Sequence, residues 1–138
     1  MDIVLVDDDT DDVYLFTTAC EYITPKPNLI VLQNGEQLLE YIDTHGLKGD
    51  KLYLVDLNMP KMGGLEALKH IKQRGLVNKL CIISYTTSSQ PSDIEHAFSL
   101  GAKSYITKPS KVVDLIELLE VLTKYWFTYN HFARSNNE

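Results

Sequence analysis

A doubly wound α/β fold, with five parallel strands and five helices, is predicted by three features of the sequence. Short apolar runs alternate with helix-period stretches from one end of the chain to the other. The runs are rich in Val, Ile and Leu without polar alternation, as in parallel strands covered on both faces. Acids, a threonine and a lysine stand just beyond the ends of these runs, where an open α/β sheet gathers its ligand-binding groups.

The elements follow in order. The strand candidates are 3–6, 29–33, 52–55, 80–84 and 104–106. Val13, Phe16, Cys20 and Ile23 share one face of the first helix, and Leu38, Leu39 and Ile42 mark the second. Leu65, Leu68 and Ile71 mark the third, Ile94, Ala97 and Phe98 the fourth, and Leu115, Leu119, Leu122 and Trp126 the fifth. Ser92 with Glu95 reads as a capping box opening the fourth helix. Gly46, Gly75 and Gly101 stand where the second, third and fourth helices should stop. Asn34-Gly35 reads as a turn after the second strand, and Gly63-Gly64 as a turn device. Strict β-α alternation with right-handed crossovers puts helices on both faces of the sheet.

The 138 residues suit one domain, and 44% hydrophobic content supplies its core. A net charge of -6 argues against a nucleic-acid partner, which would select a basic stripe. No apolar run is long enough for a bilayer, and the start lacks the basic, longer apolar pattern of a signal peptide, so a cytoplasmic location is expected. Cys20 and Cys81 fit no metal or redox spacing and read as core thiols. His45, His70, His96 and His131 form no ligand pair and read as surface residues.

The chemistry is expected at the strand ends. Asp7-Asp8-Asp9 follows the first strand, Asp56 the third, Thr86 the fourth and Lys108 the fifth. Three carboxylates brought together there require a cation to stay ionised. Mg²⁺, or Mn²⁺, suits them, because it takes few protein carboxylates and pairs them with water and phosphate oxygens. A lysine opposite the acids can bind an incoming anion and a threonine can donate to it. These parts suit phosphoryl transfer, which needs positioning and charge neutralisation. Asp9, Asp11 and Asp12 read instead as the cap and charge of the first helix's N-terminus.

The segments Val4-Leu-Val-Asp-Asp-Asp9, Leu54-Val-Asp-Leu-Asn-Met-Pro60 and Tyr105-Ile-Thr-Lys-Pro109 resemble the receiver domain of two-component response regulators. The resemblance covers about residues 1–125 and leaves an aromatic extension and tail over 126–138. It implies a flavodoxin-like sheet in the order 2-1-3-4-5. It implies Asp56 as phosphoacceptor, and Asp7, Asp8, Asp56 and the backbone carbonyl of Asn58 as metal ligands. Lys108 would pair with Asp56 and then with the phosphoryl oxygens, and the amide of Thr87 would donate to them. Thr86 and Tyr105 would form the switch pair, and Lys108-Pro109 a cis peptide bond. Relatives often carry an acid where Gly63 stands, and Tyr85 is bulkier than expected beside Thr86.

The implied function is a phosphorylation switch: a histidine kinase phosphorylates Asp56, and the face of the fourth helix, fifth strand and fifth helix changes its partner binding. The chain would catalyse only its own phosphorylation and dephosphorylation. It is similar to regulators paired with phytochrome-type or hybrid histidine kinases. A variant reading is a relay to a histidine phosphotransfer protein. Tyr125, Trp126, Phe127, Tyr129 and Phe132 either pack on the helix itself or form a homodimer or partner surface. Two other classes fit less well. An aspartyl phosphatase would carry an acid where Asn58 stands. A flavin carrier would have a hydroxyl- and glycine-rich loop where Asp7-Asp8-Asp9 stands.

Overall fold

The computed structural model describes residues 1–133. Strands β1 (Asp2–Val6), β2 (Asn28–Leu32), β3 (Lys51–Val55), β4 (Cys81–Thr86) and β5 (Ser104–Thr107) form one parallel sheet in the order β2-β1-β3-β4-β5. Helices α1 (Thr10–Cys20), α2 (Gly35–Tyr41), α3 (Gly64–Gln73), α4 (Pro91–Ser99) and α5 (Val112–Lys124) connect and follow the strands. The expected five-stranded, five-helix α/β architecture is therefore the one found.

The period of two within each strand divides the core into two layers. Ile3, Leu5, Leu52, Leu54 and Ile83 pack with Phe16 of α1 and with Leu115 and Leu119 of α5. Val4, Val6, Tyr53, Val55 and Ile82 face the other way, against Leu38, Leu68, Ile71 and Ala97 of α2, α3 and α4. Residues 3–6 and 52–55 are buried on both faces of the sheet, so either parity is apolar there, which explains those unbroken runs.

Several local expectations are corrected. Helix α4 begins at Pro91 with Gln90 at the cap and no side-chain capping bond, so Ser92 and Glu95 do not form a capping box. Proline fixes the backbone angle needed at the first helical position, and that starts the helix two residues earlier. Asn34 is the N-cap of α2, its side chain accepting from the amide of Gln37, and Gly35 is the first helical residue rather than part of a free turn. Gly75 and Gly101 do end α3 and α4 with φ of 72° and 105°. Gly46 instead closes a wider π-helical turn, Ile42–Gly46, that follows α2. The Lys108–Pro109 bond is trans, and the cis proline bond is Thr24–Pro25.

Helix α5 runs into a second π-helical turn, Tyr125–Tyr129. Trp126, Phe127 and Phe132 fold back onto the α1–α5 layer of the core, whereas Tyr125 and Tyr129 are exposed. The last five residues of the expected tail lie outside the described residues.

Candidate functional site

The order of the strands builds the site. The chain leaves β1 toward β2 on one side and returns to β3 on the other, so a crevice opens where β1 and β3 end. Ladder bonds carry the backbone past the strand ends and fix the first loop residues. The amide of Asp7 donates to Leu32 at 2.9 Å, that of Asp56 to Val6 at 3.0 Å, and that of Lys108 to Thr86 at 2.8 Å. These bonds aim Asp7, Asp56 and Lys108 at one point.

Asp7, Asp8 and Asp56 each bring a carboxylate oxygen within 4.8 Å of the others. Asp7 and Asp56 are buried and Asp8 is exposed. A cluster of hard oxygen donors, open to water on one side, fits a divalent cation that keeps some of its hydration. The Asp9 amide donates to Asp7 Oδ1 at 3.0 Å, and that of Asn58 to Asp56 Oδ1 at 3.3 Å. Asn58 and Thr87 are exposed beside the cluster's loops.

Lys108 enters from the opposite side. Its Nζ donates to Asp7 Oδ2 at 2.7 Å and to Asp56 Oδ2 at 3.0 Å, with only 5% of its side chain exposed. Burial alone would push its pKa down, but hydrogen bonds to Asp12, Asp7 and Asp56 outweigh it and hold the ammonium above the ordinary lysine range. Burial pushes the Asp7 carboxyl above the usual carboxylate range, opposed by the bonds from Lys108 and the Asp9 amide.

Two neighbours of Lys108 were not anticipated. Asp12 Oδ2 accepts from Nζ at 2.8 Å. Asp9 caps α1 as expected, its Oδ1 accepting from the amides of Asp11 and Asp12, and Asp12 is one of the two acids of the first turn. Its side chain also reaches the crevice. The available signal was its position in the first turn of α1, directly after the strand-end acids. Tyr85 does not stand at the mouth of the site. Its alternate position in β4 turns it into the α1–α5 layer, where it meets Phe16 edge-on and lies 5.7 Å beneath Nζ.

Thr86 is the last residue of β4 and fully buried. Tyr105 is half-buried, and its hydroxyl donates to the carbonyl of Ser88 at 2.9 Å. Ser88 in turn donates through Oγ to Asp93 Oδ2 in the first turn of α4, at 2.6 Å. A hydrogen-bonded path therefore runs from β5 through the loop after Thr86 to α4.

Comparisons with known proteins place the chain in a family. The family model described as "Response regulator receiver domain" matches residues 3–120. The probable methanogenesis regulatory protein FilR2 of Methanothrix harundinacea is 30% identical over 131 residues, covering 93% of this chain and 84% of that protein. Response regulator Rcp1 of Synechocystis is 28% identical over 128 residues, covering 90% of this chain and 87% of that one. The crystal structure of the phosphorylated cyanobacterial phytochrome response regulator RcpA superposes with a TM-score of 0.82 at 26% identity, covering 95% of this chain and 96% of that chain. The structure of Rcp1 was determined in an Mn²⁺-bound form and superposes with a TM-score of 0.78 at 26% identity, covering 96% of this chain and 98% of that chain. Among the described residues, no helix is long and apolar enough to cross a membrane. With its flavodoxin-like sheet, its acid cluster at the switch point and this family match, the chain belongs to the response regulator receiver domains, signalling proteins of two-component systems that bind a divalent metal and partner with histidine kinases.

Proposed function

We propose that Asp56 is the phosphoacceptor of this receiver and that a histidine kinase is the donor. The observation that carries this reading is the meeting of Asp7, Asp8 and Asp56 within 4.8 Å, with the Lys108 ammonium 3.0 Å from Asp56. An Asp56 carboxylate oxygen attacks phosphorus in line with the leaving group. The new O–P bond forms as the bond to the donor breaks, and the donor nitrogen keeps the electron pair. Asp7, Asp8, Asp56 and the carbonyl of Asn58 would hold Mg²⁺. A bound Mg²⁺ neutralises the charge of the carboxylates and the arriving phosphoryl oxygens. Lys108 supplies a further positive charge, and the Thr87 amide and the Thr86 hydroxyl supply donors.

The output follows from Thr86 and Tyr105. Movement of Thr86 toward the phosphoryl oxygens opens space that Tyr105 fills. The face of α4, β5 and α5 then changes the partners it binds. This is a shift between two states, limited in size by the difference in their contacts. The similarity to RcpA, a cyanobacterial phytochrome response regulator, supports a photoreceptor-type kinase as the partner class. Onward transfer to a histidine phosphotransfer protein is the relay form of the same chemistry. Tyr125 and Tyr129, 52% and 64% exposed, support a partner or homodimer surface at the end of α5.

Intact-mass spectrometry with acetyl phosphate and Mg²⁺ tests the central claim. A phosphoryl adduct is expected, dependent on Mg²⁺ and absent in Asp56→Ala. An adduct that survives in that variant, or none where a control receiver is labelled and beryllofluoride leaves the spectrum unchanged, would overturn it.

A further inference from the structure

Lys108 has three N–H donors, and the structure uses all three. They go to Asp7 Oδ2 at 2.7 Å, Asp12 Oδ2 at 2.8 Å and Asp56 Oδ2 at 3.0 Å. While Asp56 is still a carboxylate, an arriving phosphoryl oxygen can therefore bond the ammonium only if one of the three acids gives up its place. The three are not equal in what release costs. The side chains of Asp7 and Asp56 are 0% and 10% exposed, and an anion left there without its cation stays desolvated. The Asp12 side chain is 34% exposed, so water can replace the ammonium. Asp12 also sits in the first turn of α1, where helix amides favour a carboxylate whether or not Lys108 is present.

We propose that Asp12 is a positioning residue that docks Lys108 in the resting protein and is the contact exchanged for an oxygen of the arriving phosphoryl group, before the acyl phosphate at Asp56 replaces the third carboxylate contact. The proposal rests on the phosphoacceptor reading above. The exchange breaks one hydrogen bond and forms another, with no proton transferred. Between the dock and the phosphoryl group Lys108 moves over the Tyr85 ring, which lies 5.7 Å from Nζ and offers its face to a cation. Removing the Asp12 charge removes the competitor for the ammonium, so phosphorylation should become easier.

The test compares Asp12→Asn with Asp11→Asn. Both remove one acid from the first turn of α1, but among the Lys108 contacts only Asp12 appears. Two readouts are used: the rate of adduct formation with acetyl phosphate and Mg²⁺, and the Lys108 ammonium resonance by ¹⁵N NMR with and without beryllofluoride. The exposed character of the Asp12 contact sets the expected gain in rate at about threefold for Asp12→Asn, with Asp11→Asn unchanged. The Lys108 resonance of metal-free Asp12→Asn should move and exchange faster with water, and Asp12→Glu should restore both. Asp12→Ser serves if the amide variant folds poorly.

Equal rates and an unmoved Lys108 resonance in Asp12→Asn and Asp11→Asn, with the wild type labelled normally, would overturn the proposal. A wild type that takes no adduct fails the phosphoacceptor reading instead, and the Lys108 resonance of the metal-free variants still decides whether Asp12 holds the ammonium.

Discussion

The phenol of Tyr105 donates to the carbonyl of Ser88 across 2.9 Å, and Ser88 grips Asp93 of α4 across 2.6 Å. Tyr105 thereby holds the loop that follows Thr86. Tyr105→Phe keeps the ring and loses the bond, at an expected cost of about 1 kcal/mol of stability. Hydrogen exchange at the amides of Ser88 and Gln90 should quicken, while the amides of β1 and β3 stay protected. Unchanged protection in the loop would mean that the Ser88–Asp93 bond alone secures it.

Lys108 is the cation that keeps Asp7 and Asp56 tolerable as buried anions. Lys108→Ala leaves these acids facing each other, and a loss of about 2 kcal/mol is expected in EDTA. In thermal melts that corresponds to a fall of roughly 5–10 °C. Added Mg²⁺ should restore more stability to the variant than to the wild type, because it binds only the folded cluster. Equal Mg²⁺ gains in both proteins would contradict the view that Lys108 and the metal answer the same charge.

Gly64 opens α3 directly beneath the site. A Cβ built there overlaps the carbonyl oxygen of Asp56, so the peptide after β3 approaches the helix more closely than any side chain permits. Gly64→Ala should cost about 2–3 kcal/mol and displace Asp56. Slower adduct formation should accompany the drop in denaturant midpoint. A variant as stable and as reactive as the wild type would show that the loop at Asn58–Gly63 absorbs the methyl group.

Cys20 and Cys81 are free and buried, and burial pushes their thiols up to about 11 and about 12. The unfolded chain ionises them near 9, so it loses their protons first. Their contribution to stability is therefore complete below pH 9 and is lost as the pH rises through 11 to 12. Alkylation by iodoacetamide at pH 8 should be negligible in the native protein and fast in urea. Rapid native labelling of either cysteine would disprove its placement in the core.

The number and kind of strands and helices, and the residues that stand at the strand ends, could be read along the chain, whereas the strand order came from the family resemblance. Those depend on local patterns: unbroken apolar runs for doubly covered strands, and 3.6-residue faces for the helices. Once the strands align, Asp7, Asp56 and Lys108 have one rim to occupy, so their meeting was legible. Features that depend on side-chain direction across the fold were not. Asp12 and Lys108 are 96 residues apart, and their contact exists because the first turn of α1 lies against the end of β5's loop. Tyr85 lies under Lys108 because strand parity turns it inward, toward Phe16. The aromatic end of α5 divides into an inward set, Trp126, Phe127 and Phe132, and an exposed pair, Tyr125 and Tyr129, a division its run of aromatics does not encode. Apolar periodicity specifies which face of an element is buried, whereas the packed structure decides which charged groups meet above it, since that depends on distances no local pattern encodes.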